Sequence, residues 1–206
     1  MSKAQSPAAN FDHRDAQIAS RRDARTARAA LDASERFQAS EKIAEIVIHS
    51  PWFRRGKYVA CYLPTDEEVD TWSIIECAWR MKKRVFAPLV EKNFALQFCE
   101  LTADSKLIFN QYGLPEPQDG EIIEPRALDI VITPVVAFDD DGNRIGMGGG
   151  YFDRTFSFLR NRRFLFHPKL IGVAFSCQRV EKIAPNPWDI RVFRLIHENS
   201  GSNRGT

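Results

Sequence analysis

Short apolar runs alternate with helical patterns along most of this chain. The runs at residues 57–63, 84–90, 128–138 and 169–175 have the length and the Val, Ile and Phe content of buried strands. The segments at residues 71–82 and 151–159 are predicted to be helices. Such alternation favours a mainly parallel sheet with helices on both faces. The 206 residues therefore predict an α/β fold, built as a single compact three-layer domain.

The regions outside this alternation are also predictable. Residues 15–31 and 34–48 are expected to form two helices, with Asp32 as the N-cap of the second. Residues 96–101 are predicted to be an edge strand, and residues 112–125 a long loop. We expect a flexible extension over residues 1–13, the folded domain over residues 14–197 and a flexible tail over residues 198–206.

Composition excludes several classes of protein. Hydrophobic residues make up 44% and charged residues 27%, which is typical of globular domains. The net charge of +2 provides no general attraction for nucleic acid or an anionic membrane. No apolar run has the length of a membrane helix, and charges stand where a signal peptide needs an apolar segment, so we expect a cytoplasmic protein. Its scattered cysteines are expected to be reduced thiols.

A cluster of glycines carries the strongest chemical signal. Five of the nine residues at 142–150 are glycine, and the cluster lies between a predicted strand and a predicted helix. Glycine N–H groups before a helix N-terminus form a phosphate site, here flanked by Arg144 and Arg154. Neither a P-loop nor a dinucleotide fingerprint matches, because no Lys-Ser/Thr ends the cluster and the G-x-G-x-x-G frame from Gly146 ends on Tyr151. The cluster predicts a phosphorylated ligand; a purely structural glycine turn is the alternative.

Asp153 lies three residues after the last glycine of this cluster. A carboxylate there repels phosphate unless a cation lies between them, so Asp153 is a candidate Mg²⁺ ligand. The alternative is an acid that interacts favourably with the dipole of the predicted helix. The histidines and cysteines show no spacing typical of a zinc site.

The pattern R-x-G-x-G-G-G-Y-F-D-R at residues 144–154 resembles the signature of the 5-formyltetrahydrofolate cyclo-ligase, or methenyltetrahydrofolate synthetase, family. Further matches follow in order at residues 62–71, 113–117, 180–182 and 188–189. The resemblance implies an enzyme that uses ATP and Mg²⁺ to close 5-formyltetrahydrofolate into 5,10-methenyltetrahydrofolate. It also implies a fold similar to the ribose-5-phosphate isomerase and CoA-transferase sheets, and a monomer without nucleic-acid or membrane partners.

The resemblance assigns roles to individual residues. It implies a nucleotide site formed by Gln17, Arg21, Arg25, Arg144, Ile145, Gly146, Met147, Gly148, Gly149, Gly150, Tyr151 and Phe152. It implies a folate site formed by Thr65, Glu68, Asp70, Met147, Gly148, Gly149, Gly150 and Tyr151. Catalytic roles fall to Arg144, Tyr151 and Asp153, and the metal pair is Asp153 with Asp189. The acids at residues 66–68 have a second interpretation, as the start of the helix predicted at Thr71.

Three positions depart from the family pattern. Gln17 stands where relatives usually carry Lys, so one phosphate-neutralising charge is missing unless Arg22 or Arg25 compensates. Met147 replaces a basic residue, and Phe152 replaces a second Tyr. The alternatives to a cyclo-ligase are therefore a non-catalytic relative that binds a nucleotide, folate or RNA, and a sugar-phosphate isomerase on the same fold.

Overall fold

The computed structural model describes residues 7–91, 95–160 and 168–200, with side chains from Asp15 onward. The helices are α1 (Pro7–Ala29), α2 (Ala33–His49), α3 (Pro51–Arg55), α4 (Trp72–Arg80) and α5 (Tyr151–Thr155). Short 3-10 turns lie at Pro125–Ala127, Ser157–Leu159 and Ser176–Gln178. The strands are β1 (Tyr58–Cys61), β2 (Arg84–Val90), β3 (Leu96–Glu100), β4 (Leu107–Phe109), β5 (Pro115–Pro117), β6 (Ile122–Ile123), β7 (Ile130–Pro134), β8 (Ala137–Phe138), β9 (Arg144–Ile145), β10 (Lys169–Val173) and β11 (Arg194–Ile196).

A seven-stranded sheet in the order β11-β10-β7-β1-β2-β3-β6 forms the centre of the molecule. The strands from β11 to β2 are mutually parallel, whereas β3 and β6 pair antiparallel at one end. Two hairpins, β4–β5 and β8–β9, lie outside this sheet. The predicted mainly parallel α/β architecture is confirmed; the likeness to the ribose-5-phosphate isomerase sheet stays a prediction.

Apolar residues cover both faces of the sheet. Because side chains alternate along a strand, Val59 and Cys61 face a core formed with α2, α3 and α4. Ala60 between them faces a second core that includes Phe156 and Ile190. Two filled faces around one sheet make the three layers that the continuous apolar runs predict.

The first two helices differ in how well their starts were predicted. Asp32 caps α2 as expected: its carboxylate accepts the N–H of Glu35 at 2.8 Å, and the Glu35 carboxylate accepts the N–H of Asp32. Helix α1 begins at Pro7, earlier than the helix predicted from residue 15, and the flexibility of the extension stays a prediction. Residues 1–6 and 201–206 of the two predicted flexible ends lie outside the described residues.

No described helix is long and apolar enough to cross a membrane.

The region after β2 departs from prediction. Strand β3 is not an edge strand, because it also pairs with β6, and the predicted loop at residues 112–125 contains β5 and β6. Gly120 explains the close approach: a Cβ at this position would lie 2.5 Å from the carbonyl oxygen of Glu100. The helix predicted at 151–159 is α5 followed by a 3-10 turn, and α3 and β11 were not predicted.

The strand order predicts a crevice at the carboxyl ends of the parallel strands. From β1 the chain continues to β2 on one side, and later places β7 on the other side of β1. In open parallel sheets, ligands bind at the carboxyl ends of strands where the winding direction reverses. The segments that leave this point are residues 62–71 after β1 and residues 135–150 after β7.

Candidate active site

The glycine loop, residues 146–150, lies at this crevice between β9 and α5. Gly148 and Gly150 have φ angles of +101° and +66°, which side chains other than glycine rarely adopt. At Gly149 the limit is space, because a Cβ would lie 2.4 Å from the ring of Tyr151. The loop therefore needs glycine for both reasons, and its backbone is open to an approaching ligand.

The backbone N–H groups of residues 147–150 have no hydrogen-bond acceptor within the described part of the chain. The opposite side of the loop is occupied: Arg21 Nε donates to the Gly146 carbonyl at 3.0 Å. Arg154 donates to the Gly149 carbonyl and lies over the Tyr151 ring. Successive uncommitted N–H groups next to guanidinium groups make a site that attracts anions.

The sequence predicts that a helix dipole contributes to the anion site, but in the structure this contribution is small. Helix α5 has only five residues, so few peptide dipoles add up at its start. The anion site therefore depends on the loop N–H groups and the nearby arginines.

Arg144 lies on β9, just before the glycine loop, and its side chain is buried. Its side chain is only 7% exposed, and Nη2 lies 2.8 Å from Asp153 Oδ1. The same oxygen accepts the Ile190 N–H at 3.0 Å, which fixes the carboxylate from two sides. Arg144 Nε is buried and has no partner among the described residues. Arg144 thus holds Asp153 in position at the end of the loop.

Asp153 and Asp189 interact although they are 36 positions apart in the sequence. Burial raises the pKa of Asp189, and the negative charge of Asp153 raises it further. Asp189 Oδ2 also accepts the N–H of Asn186 at 2.8 Å. Residues 7–91, 95–160 and 168–200 contain no group of three or more His, Cys, Asp or Glu side chains suited to a metal ion. Mg²⁺ in proteins is usually bound by one or two carboxylates, and water and phosphate oxygens fill its other coordination positions. The Asp153–Asp189 pair is therefore a candidate Mg²⁺ site.

The remaining predicted residues around the loop have different environments. Met147 is exposed, and the Tyr151 hydroxyl donates to that of Tyr112 at 3.2 Å, which raises the pKa of Tyr151. The ring of Phe152 stacks on Phe156 in the second core, so Phe152 anchors the segment after the glycine loop by apolar packing. Arg25 lies exposed on α1, one turn beyond Arg21.

The acidic loop, residues 65–70, leaves β1 on the other side of the crevice. Glu68 Oε2 accepts both the N–H and the hydroxyl of Thr65 at 3.1 Å. Asp70, the residue before the N-cap Thr71, accepts the N–H of Trp72 at 2.8 Å and so joins the loop to the start of α4. The acids do not begin this helix, because α4 starts at Trp72. Thr65 and Glu68 thus shape the loop by their mutual contacts, and Asp70 joins its end to α4.

Sequence reasoning missed the contacts that hold the acidic loop in place. Buried Arg28, its side chain 5% exposed, pairs with Glu67 at 3.0 Å. The Tyr62 hydroxyl donates to the Val69 carbonyl at 2.8 Å and closes the base of the loop. Arg28 lies two helical turns after Arg21, so one face of α1 contacts both loops. The seven-residue spacing of these arginines was the available signal.

The parallel sheet, the open glycine loop and the two carboxylates define an α/β protein with a candidate anion site. Within this class, the chain belongs to the 5-formyltetrahydrofolate cyclo-ligase family, whose sequence model matches residues 13–198. The chain is 33% identical over 181 residues to the 5-formyltetrahydrofolate cyclo-ligase of Haemophilus influenzae, covering 85% of this chain and 94% of that one. It is 35% identical to the Escherichia coli protein of the same name, covering 81% and 91%.

A solved structure agrees with this assignment. The chain is similar to the NMR structure of Aquifex aeolicus 5,10-methenyltetrahydrofolate synthetase, with a TM-score of 0.77 and 30% identity. The match covers 89% of this chain and 90% of the other. Family membership therefore rests on both sequence and fold.

Proposed function

We propose that this protein catalyses the ATP-dependent cyclisation of 5-formyltetrahydrofolate to 5,10-methenyltetrahydrofolate, with release of ADP and phosphate. The observation that carries the proposal is the row of uncommitted N–H groups at residues 147–150, next to the Arg144–Asp153 pair. A cyclo-ligase needs a phosphate site of this kind beside a folate site. The family match supplies the substrate class.

The reaction needs no nucleophile from the protein. The formyl oxygen attacks the γ-phosphorus of ATP, and the bond to the ADP oxygen breaks. N10 of the folate then attacks the formyl carbon and loses its proton, and the carbon–oxygen bond breaks as phosphate leaves. Phosphoryl transfer is catalysed mainly by positioning and by neutralising charge. The glycines, arginines and carboxylates of this crevice suit that task.

The glycine loop binds the phosphate groups through its N–H donors, and Arg21 adds a positive charge on the α1 side. Arg144 fixes the carboxylate of Asp153. Asp153 and Asp189 are the residues that would hold Mg²⁺, which supplies charge neutralisation at the phosphates when bound. Burial is the main cause of the raised pKa of Asp189 and the charge of Asp153 adds to it; a bound cation would favour the charged form against both effects.

The acidic loop binds the folate. Thr65, Glu68 and Asp70 lie across the crevice from the glycine loop, and a carboxylate can accept two N–H groups of a pterin at once. The Arg28–Glu67 pair keeps this loop next to α1. Tyr151 contacts the substrate from the glycine-loop side.

A spectrophotometric assay tests the proposal. Purified protein is mixed with 5-formyltetrahydrofolate and Mg²⁺, with and without ATP, and the absorbance of the methenyl product is followed. ATP-dependent product formation is the expected result. A folded protein that forms no product with saturating ligands would point instead to the non-catalytic binding module. Omission of Mg²⁺ with a chelator present is expected to stop the reaction.

We also propose that the protein acts in the cytoplasm and as a monomer. Cys61, Cys77, Cys99 and Cys177 are all free, as is usual in a reducing compartment. Light scattering at assay concentration tests the monomer, and a mass of twice 23.6 kDa would contradict it.

A further inference from the structure

A cation outside the predicted site residues lies beside the glycine loop. Lys182 lines a groove of about 140 Å³ together with Gln17, Ser20 and Ile145. Ile145 directly precedes the glycine loop, and Gln17 lies on α1 one turn before Arg21. The groove therefore lies next to the start of the glycine loop.

The backbone around Lys182 is held firmly against the start of the loop. Buried Asp139 accepts the Ile183 N–H at 2.9 Å, and the Asn143 amide donates to the Ile183 carbonyl at 3.3 Å. Asp139 and Asn143 also bind each other at 2.9 Å. Since Asn143 is only three residues before Gly146, this cluster fixes the segment at 182–184 relative to the glycine loop.

Gln17 has a structural task in this groove. Its side-chain amide donates to the Ala184 carbonyl at 3.0 Å, which joins α1 to the same fixed segment. Gln17 carries no charge that could neutralise a phosphate. Lys182 is the charged side chain of the groove lining.

The other cations at the loop are already engaged. Arg21 donates to Gly146, Arg144 is paired with Asp153, and Arg154 donates to Gly149. Lys182 is exposed and makes no ion pair or hydrogen bond with the described part of the chain. Its ammonium group, on a flexible stem attached to a rigid backbone, is available to a phosphate.

We propose that Lys182 binds the phosphate tail of ATP, as the charged partner of the uncharged Gln17 across the groove. This inference rests on the proposed function, because it deepens the nucleotide half of the same site. It identifies a second positive charge on the α1 side, in addition to Arg21, where Gln17 supplies none.

The first test is the Lys182→Gln variant. ATP affinity is measured by calorimetry with a non-hydrolysable analogue, and the ATP and folate KM values are measured in the cyclisation assay. We expect ATP affinity to fall about tenfold, because a charge-assisted hydrogen bond is lost, while the folate KM changes less than twofold. Lys42→Gln, which removes an exposed lysine of α2, is the matched control and should leave all three values unchanged.

The second test moves the charge across the groove. In the double variant Gln17→Lys/Lys182→Gln, a lysine at position 17 faces the same groove, and we expect most of the ATP affinity to return. Thermal melting of each variant verifies that the fold is retained. Recovery by relocation requires a direct electrostatic role, since a structural role of Lys182 could not be restored from α1.

Two results would overturn the proposal: ATP affinity of Lys182→Gln within twofold of the unchanged protein, or a loss that Gln17→Lys does not reverse in a folded double variant. The calorimetric measurement needs no turnover. Failure of Lys182 as a phosphate residue is therefore distinguishable from failure of the cyclo-ligase function, which would appear as absence of the methenyl product in the unchanged protein.

Discussion

The glycine loop, which follows β9, and the acidic loop, which follows β1, both contact α1, yet they are built in opposite ways. The glycine loop has few side chains, and its N–H groups at residues 147–150 are uncommitted among the described contacts. The acidic loop satisfies its own backbone with carboxylates, as when Glu68 binds Thr65. One loop presents donors and the other presents acceptors.

This difference shows how a single crevice can hold two chemically different ligands. Phosphate groups need donors and positive charge, whereas the N–H groups of a pterin need acceptors. Helix α1 serves both loops, with Arg21 on a glycine-loop carbonyl and Arg28 on Glu67. The comparison predicts that substitutions in one loop affect one ligand first.

Gly148→Asp is expected to have the largest effect. The residue has φ +101°, and an aspartate would bring a side chain and a negative charge into the anion site. We expect ATP binding to fall at least 100-fold by calorimetry, with folate binding affected much less. Gly142→Asp at the hairpin turn, with φ +79° and open space around it, adds the same strain and charge elsewhere. Equal ATP affinity of the two variants would contradict the assignment of the anion site.

Asp153→Asn is expected to follow. The asparagine keeps an oxygen for the Ile190 N–H and for Arg144, but it removes the charge that would hold Mg²⁺. We expect kcat to fall about 100-fold and the Mg²⁺ concentration for half-maximal rate to rise, as measured by metal titration of the assay. Asp104→Asn in an exposed turn is the control. An unchanged Mg²⁺ requirement would exclude Asp153 as a ligand.

Glu67→Gln tests how the acidic loop is held. Arg28 is buried, and the substitution leaves its charge unpaired, although Glu67 itself is 48% exposed. We expect unfolding free energy to fall by about 2 kcal/mol in urea titrations and the folate KM to rise more than the ATP KM. Asp23→Asn, which breaks the exposed pair with Arg22, should cost under about 0.5 kcal/mol. A rise confined to the ATP KM would contradict the division between the loops.

Asp139→Asn probes the support of the glycine loop, with the smallest expected effect. Burial alone would raise the pKa of Asp139, but hydrogen bonds from Asn143 and Ile183 outweigh it and lower the pKa. A lowered carboxyl pKa stabilises the fold above the unfolded pKa of about 4, and this stability is lost as pH falls through the folded value. We expect a cost of about 1.5 kcal/mol at neutral pH that shrinks in acid, measured by urea titrations across pH. A difference independent of pH would be inconsistent with this role.

Much of the fold was predictable because its signals are local. Strand β2 and helix α4 agree with prediction, since a continuous apolar run and a helical period each depend on neighbouring residues. The two-residue strand β6 was not predictable, because it forms only by pairing with β3. The start of α1 was also missed, since residues 7–13 lack a clear helical period.

Some features of the candidate site were likewise predictable from the sequence, and others were not. The glycine loop and Asp153 were recognisable because they are contiguous in sequence and match a family signature. The Arg28–Glu67 pair joins residues 39 positions apart, and the spacing of Arg21 and Arg28 indicates only that these arginines share a helix face, not which residue Arg28 pairs with. The predicted dipole contribution failed because helix length depends on where the chain turns back, and α5 ends after five residues.

The sequence by itself determined the fold class, the family and the glycine-rich loop that is the candidate anion site, because these depend on residues that are adjacent or regularly spaced. The tertiary structure decided which segments share the crevice. It placed β7 beside β1, brought Asp189 to Asp153, and laid one face of α1 across both loops. These contacts depend on the order of strands in the sheet, which is set by the packing of the whole chain.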